Sequence, residues 1–215
     1  MKSRCVVVLG IQGSGTSAVA GILHHLGISM GKRTTSGGVS VNSKGHFEDI
    51  QMRRWLNNTE KNESNIDIHN ENVFQYLKDR RSEEKMWGIK EPRLCSKLDL
   101  IHRHLGDYRV ICTERSPIAC ARSHAIKSEN DDITAIYAMQ HTLKECRNFM
   151  LEYMKPQALW VNFNNLTDRP EFYVRRIANF SFQGKEQPSE EQIQKAISFV
   201  DPSMNHKREQ SCGLL

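Results

Sequence analysis

Residues 4–27, RCVVVLGIQGSGTSAVAGILHHLG, constrain the fold more than any other stretch of the chain. Val6, Val7, Val8 and Leu9 form a short apolar run without alternation, the pattern of a strand buried on both faces of a parallel sheet. A loop follows with Gly10, Gly13 and Gly15. Val19, Ile22, Leu23 and Leu26 then recur at helical spacing, and Gly27 closes the helix. Strand, glycine loop and helix start together make an anion cradle. Glycines let the backbone approach a phosphate, its N–H groups converge, and the helix N-terminus adds partial positive charge. From Gly10 through Gly15 to Ser17 the spacing is G-x-x-x-x-G-x-S, a nucleotide-binding P-loop in all but one position. Thr16 stands where the P-loop lysine would reach the outer phosphates, so the expected ligand is an anion other than a conventional triphosphate.

At 215 residues the chain suits a single domain, 1–215, with length enough for a real core. Its hydrophobic fraction of 38% and charged fraction of 26% are those of a globular protein. The formal net charge of +5 fits an anionic ligand, and no basic tract with interleaved aromatics suggests nucleic acid. No apolar run is long enough for a membrane span, and with the first strand read almost at Met1 no signal peptide is expected. The expected setting is cytoplasmic, with no membrane partner. Six cysteines without a C-x-x-C pair read as reduced packing thiols, and nine histidines show no metal spacing.

Beyond Gly31, residues 32–45 read as a long loop rich in Ser, Thr, Gly and Lys. A short helix with Ile50, Trp55 and Leu56 on its apolar side comes next. Residues 57–72, rich in Asn, Glu, Lys and Ser, are expected to be an exposed insertion. Helical spacing over Val73–Arg81 and a strand at Met86–Ile89 precede a helix expected to be capped by Ser96. A third strand covers Arg109–Thr113, and Pro117 starts a helix to about Lys127. A long amphipathic helix over 133–154, a strand at Leu159–Phe163 and two final helices complete the chain, the last opened by a Ser189/Gln192 capping box. Apolar strands alternating with helices predict a three-layer α/β/α fold with a mainly parallel sheet, like that of P-loop proteins, and a site at the carboxyl ends of the strands.

Three strand ends carry the chemistry-bearing residues. One is the Gly10–Ser17 loop. Another is Lys90, Glu91 and Arg93, where a cation can lie over the loop and neutralise charge on a transferring group. The last is Thr113-Glu114-Arg115-Ser116-Pro117, with Ser123 eight residues beyond Arg115. For one phosphate to bind both Arg115 and Ser123, the arginine must fold back along its helix, which a long guanidinium side chain permits.

In these motifs the chain resembles the sulfotransferases that use 3′-phosphoadenosine 5′-phosphosulfate. Gly13-Ser14-Gly15-Thr16-Ser17 is similar to that family's 5′-phosphosulfate loop, which also lacks the P-loop lysine. Arg115, Pro117 and Ser123 match its 3′-phosphate motif. Lys90-Glu91-Pro92-Arg93 resembles the K-D-P segment of the tyrosylprotein and related bacterial members, and Gly45-His46-Phe47-Glu48 resembles a G-x-x-E segment whose glutamate serves as base. The resemblance spans about residues 5 to 165 in the family's order. It implies a sulfotransferase with no metal, in which Gly13, Ser14, Gly15, Thr16, Ser17, Arg115 and Ser123 bind the cofactor. Glu48 would then be the general base and Lys90 would stabilise charge during in-line transfer to a small-molecule, glycan or peptide acceptor. The chain departs from the family at Gly13, where Lys or Arg usually precedes S-G-T, and it lacks the C-terminal glycine-rich basic segment, for which Lys207 and Arg208 are a loose substitute. A nucleoside or nucleotide kinase sharing the loop, and a non-catalytic binding protein of the same fold, stay open as alternatives.

Overall fold

A computed structural model describes residues 2–31, 47–61, 66–128, 144, 148 and 158–200. The loop expected over 32–45, nearly all of the helix expected over 133–154, and Lys207 and Arg208 lie outside the described residues. Strand β1 (Arg4–Leu9) leads through the glycine loop into helix α1 (Thr16–His25). Helices α2 (Ile50–Lys61) and α3 (Ile66–Glu83) precede strand β2 (Met86–Lys90), the 3₁₀ turn Pro92–Ser96 and the short α4 (Leu98–Ile101). Strand β3 (Asp107–Glu114) and helix α5 (Pro117–Ser128) follow, then strand β4 (Ala158–Asn162) with α6 (Phe163–Asp168), α7 (Pro170–Phe182) and α8 (Glu190–Phe199).

The described strands form one sheet in the order β2-β1-β3-β4, every pair parallel. All six residues of β1 are buried, because each face of the strand meets a different helical layer. Val6 and Val8 pack with Val19, Ile22 and Leu23 of α1 and with Val174 and Ile177 of α7. Cys5, Val7 and Leu9 point the other way, toward Met52 and Leu56 of α2, Leu77 of α3 and Leu98 of α4. The expected three layers and parallel sheet are therefore present. In register, Val8 sits beside Lys90, Leu9 beside Cys112, and Glu114 beside Asn162, so the carboxyl ends of all four strands come level on one edge.

Several expectations change. Residues 57–72 are not an exposed insertion where they are described: α2 runs on to Lys61 and α3 begins at Ile66. Thr59 is buried, the Asn57 side chain accepts from Arg93 Nη1 at 2.8 Å, and Asn70 Oδ1 accepts from the Trp55 indole at 3.0 Å. Asn58, Glu71 and Asn72 are exposed, so the polar composition there belongs to the outer side of a helix pair. Ser96 does not start the helix assigned to it. Glu91 instead accepts from the Arg93 amide and caps a proline-initiated 3₁₀ turn that ends at Ser96, and α4 begins at Leu98. The Ser189/Gln192 capping box is present with both reciprocal bonds. Cys5, Cys112 and Cys120 are buried thiols, whereas Cys95 is disulfide-bonded, against the expectation of reduced cysteines throughout. Among the described residues no helix is long and apolar enough to cross a membrane, and no group of three or more His, Cys, Asp or Glu side chains could hold a metal.

Candidate functional site

The glycine loop crosses the carboxyl edge of the sheet between β1 and α1. Its shape is fixed from inside by Ser14, which is fully buried. The Ser14 hydroxyl donates to the Ile11 carbonyl at 2.7 Å and lies 2.7 Å from the hydroxyl of Thr113 on β3, while the Ser14 amide also bonds the Ile11 carbonyl. Ser14 thus builds the cradle. Gly15 caps α1 with φ +98, and a β-carbon there would lie 2.2 Å from the Phe163 ring. The first-turn amides of α1, starting at the buried Thr16 and the part-buried Ser17, are the donors that a helix start leaves without partners inside the helix.

Gly13 is where the two phosphate motifs meet. Its φ is +82, and a β-carbon built on it would lie 2.9 Å from the Cys120 carbonyl and 3.0 Å from the Ser123 β-carbon. Arg115 Nη1 donates to the Gly13 carbonyl at 3.1 Å, and the guanidinium lies 5.1 Å from the centre of the Phe163 ring. Loop, Arg115 and Ser123 therefore converge, as the sequence expects. Burial pushes the Cys120 thiol up to about 11 despite the nearby Arg115, so this cysteine is a packing group at neutral pH and no thiolate nucleophile.

The second cluster lies at the end of β2. Lys90 is 2% exposed, and its ammonium donates to Glu48 Oε1 at 2.9 Å. Glu48 Oε2 also accepts from Arg53 on α2 at 3.4 Å. Burial lowers the Lys90 pKa, and the Glu48 carboxylate is the main influence opposing it. Glu91 and Arg93 serve structure instead: Arg93 Nε returns to Glu91 at 3.1 Å and its Nη1 reaches Asn57. Of the four residues Lys90–Arg93, Lys90 is the one paired with Glu48.

Glu48 is aimed by its neighbours. Phe47 adopts φ +54, a left-handed conformation that costs a bulky residue on the order of 1–3 kcal/mol. Its ring is buried between α1 and α8, edge-on to Phe199 with centroids 5.9 Å apart. Asp49, on the other side, is fully buried and caps α2 through bonds from the Gln51 and Met52 amides. The carboxylate between them is held at both ends. Thr113 belongs to the third strand-end cluster of the sequence reading, whereas Phe163 and Asp49 carry no role in it. An aromatic closing an apolar strand was the available signal for Phe163.

Residues 5–181 match the model of the sulfotransferase family. No curated protein matches the chain in sequence. Among solved structures the chain is similar to sulfotransferase STF1 from Mycobacterium tuberculosis H37Rv, with 16% identity, a TM-score of 0.61, and coverage of 92% of this chain and 71% of that one. It is also similar to the sulfotransferase domain of the Synechococcus PCC 7002 olefin synthase, at 17% identity, TM-score 0.59 and coverage of 96% and 88%. Sulfotransferase STF9 from Mycobacterium avium gives 12% identity, TM-score 0.62 and coverage of 93% and 68%. At these identities the structures share the fold.

Proposed function

Because the chain belongs to the sulfotransferase family, we propose that it moves a sulfuryl group from 3′-phosphoadenosine 5′-phosphosulfate to a hydroxyl or amine of its acceptor. The convergence of the glycine loop, Arg115 and Ser123 on Gly13 is the observation that carries this reading. Backbone amides and a helix start suit one phosphate end of the cofactor, and a guanidinium with a hydroxyl suits the other. When bound, the cofactor supplies the sulfuryl group and a phosphate leaving group. Glu48 takes the proton from the acceptor O–H or N–H as the new bond to sulfur forms and the sulfur–oxygen bond to the 5′-phosphate breaks. Lys90 offsets negative charge that develops between sulfate and leaving phosphate. Gly13 supplies no cation, so Lys90 carries that task. Thr16, at the position of the P-loop lysine, is buried, which gives the kinase alternative no support.

The acceptor belongs to this reading only as a class, a hydroxyl- or amine-bearing small molecule, glycan or peptide. A cytoplasmic setting is carried forward with it. The buried thiols of Cys5 and Cys120 support that setting, and the Cys95 disulfide weighs against it.

Adenosine 3′,5′-bisphosphate at a hundredfold excess over its dissociation constant is expected to stabilise the fold by about 2.7 kcal/mol, a rise in Tm of roughly 5–10 °C. Arg115→Ala is expected to abolish the rise at the same concentration. ATP with magnesium should give none, and a shift with ATP alone would hand the loop to a kinase. Glu48→Gln is expected to lower turnover by roughly 10²–10⁴-fold while the bisphosphate shift persists. Wild-type turnover in that variant would remove Glu48 as the base.

A further inference from the structure

Arg80 on α3 belongs to no phosphate motif, yet all three of its guanidinium nitrogens are committed. Nε donates to Glu84 Oε1 at 2.7 Å. Nη1 donates to Asp49 Oδ2 at 3.0 Å and to the Gly88 carbonyl at 3.3 Å. Nη2 donates to the Ser29 carbonyl at 2.7 Å, and the Trp87 ring lies 4.9 Å from the guanidinium carbon. Arg80 is 4% exposed and Asp49 0%. The Asp49 carboxylate is equally occupied: Oδ1 caps α2, and Oδ2 accepts from Arg80 and from the Tyr76 hydroxyl.

The two ends of this bridge fall beside the two halves of the Glu48–Lys90 pair. Asp49 is the residue after Glu48, and Gly88 lies two residues before Lys90 on β2. A buried ion pair is weak support for stability alone, since apolar packing of equal volume does as well. What a planar guanidinium adds is direction, because its fork holds several acceptors at fixed angles where an ammonium cannot. We propose that Asp49 and Arg80 form a positioning unit that locks the first turn of α2 against β2, and so holds Glu48 and Lys90 within hydrogen-bond reach of each other. Its catalytic consequence rests on the reaction proposed above; its geometric content does not.

Arg80 keeps its charge. Burial works against the Arg80 charge, and Glu84, Tyr76 and Asp49 together outweigh it, raising its pKa. Burial and the Asp49 carboxylate push the Tyr76 phenol up, which keeps its proton for the bond to Asp49. Lys90 is the group that reports on the unit. It faces Glu48 from the segment before α2, Glu91 from the end of β2 and Arg53 from α2, and only burial and Arg53 lower its pKa. Releasing Glu48 removes the main influence opposing burial, so the Lys90 titration must move down.

The test titrates the Lys90 ammonium by NMR in the full chain labelled with ¹³C at lysine Cε, the resonance being assigned by its loss in Lys90→Met. Asp49→Asn keeps a side-chain carbonyl to cap α2 and removes the charge facing Arg80. The Lys90 midpoint is expected to fall in Asp49→Asn, in the same direction as in Glu48→Gln. The double variant is expected to fall no further than Glu48→Gln alone. An unmoved midpoint in Asp49→Asn, or additive shifts in the double variant, overturns the proposal. Should Asp49→Asn not fold, Tyr76→Phe removes a single hydrogen bond to the same carboxylate and is expected to give a smaller fall; no fall overturns the proposal equally. In turnover, Asp49→Asn is expected to lose roughly a hundredfold in kcat with an unchanged cofactor KM, as for a slightly misplaced reacting group. Full turnover in Glu48→Gln removes Glu48 as the base and leaves the Lys90 titration standing, so the two failures are separable.

Discussion

Lys90→Met is expected to lower turnover by roughly 10²–10³-fold while the protein still folds and still binds adenosine 3′,5′-bisphosphate. The size follows from where the ammonium sits. It is almost wholly buried at the end of β2, level with Val8 and so beside the start of the glycine loop, and Gly13 leaves that loop without a cation of its own. A charge kept out of water acts on a developing anion with little screening. Methionine matches the length of the lysine stem and removes only the charge, so packing against the strand survives. Glu48 loses its nearest cation but keeps Arg53 at 3.4 Å and some contact with solvent, which limits the cost to the fold. Steady-state turnover beside a bisphosphate thermal shift reads both halves of the expectation. Turnover at the wild-type rate would take Lys90 out of the reaction, and loss of the bisphosphate shift would make it a binding residue.

Gly13→Lys, which writes the family's usual cation back into the loop, is expected to destabilise the protein and not to raise its activity. The position has φ +82, where a residue with a β-carbon pays roughly 1–2 kcal/mol. The added carbon would also lie 2.9 Å from the Cys120 carbonyl and 3.2 Å from its α-carbon, which are backbone atoms of α5 that cannot swing aside. Overpacking of this kind costs about a further 1–3 kcal/mol. Together these amount to a fall in Tm of roughly 5–15 °C, with weaker bisphosphate binding because Arg115 and Ser123 move with the displaced helix. Gly13→Ala separates the causes: it carries the same clash and no charge, and it should lose nearly as much stability. A stable and more active Gly13→Lys would mean that the loop relaxes around the new side chain, and that the close contact with α5 is not needed.

What the sequence made legible was local. The β-branched run of β1, the glycine spacing, the first-turn proline of α5 and the Ser189 capping box each depend on neighbours a few residues away, and each is present. The pairing of Arg115 with the loop was legible through motif spacing, although it joins positions far apart. Composition misled at 57–72, because a window rich in Asn, Glu and Lys does not show that α2 runs on to Lys61 and that α3 begins at Ile66. Arg80 was illegible for a different reason. On α3 it is one more basic residue near a helix end, and its partners Asp49 and Ser29 stand 31 and 51 residues away in the chain. Tyr76, Arg80 and Glu84 at four-residue intervals were the one local trace of the network. Nothing in the chain near Phe47 signals its left-handed backbone, which is imposed by the burial of its ring between two helices.

The bond from Arg115 to the Gly13 carbonyl ties the two proposed phosphate grips together as the jaws of one caliper. Under the function proposed above, a nucleotide carrying phosphate on both sides of its sugar would engage both grips. Once one end is seated, the other engages at an effective concentration on the order of millimolar, with no further loss of overall motion. A nucleotide whose phosphates all lie on one side, ATP included, would close on one jaw only, whatever its total charge. A site built as proposed would sort nucleotides by the distance between their anionic ends, and an abundant triphosphate would be a poor competitor for it.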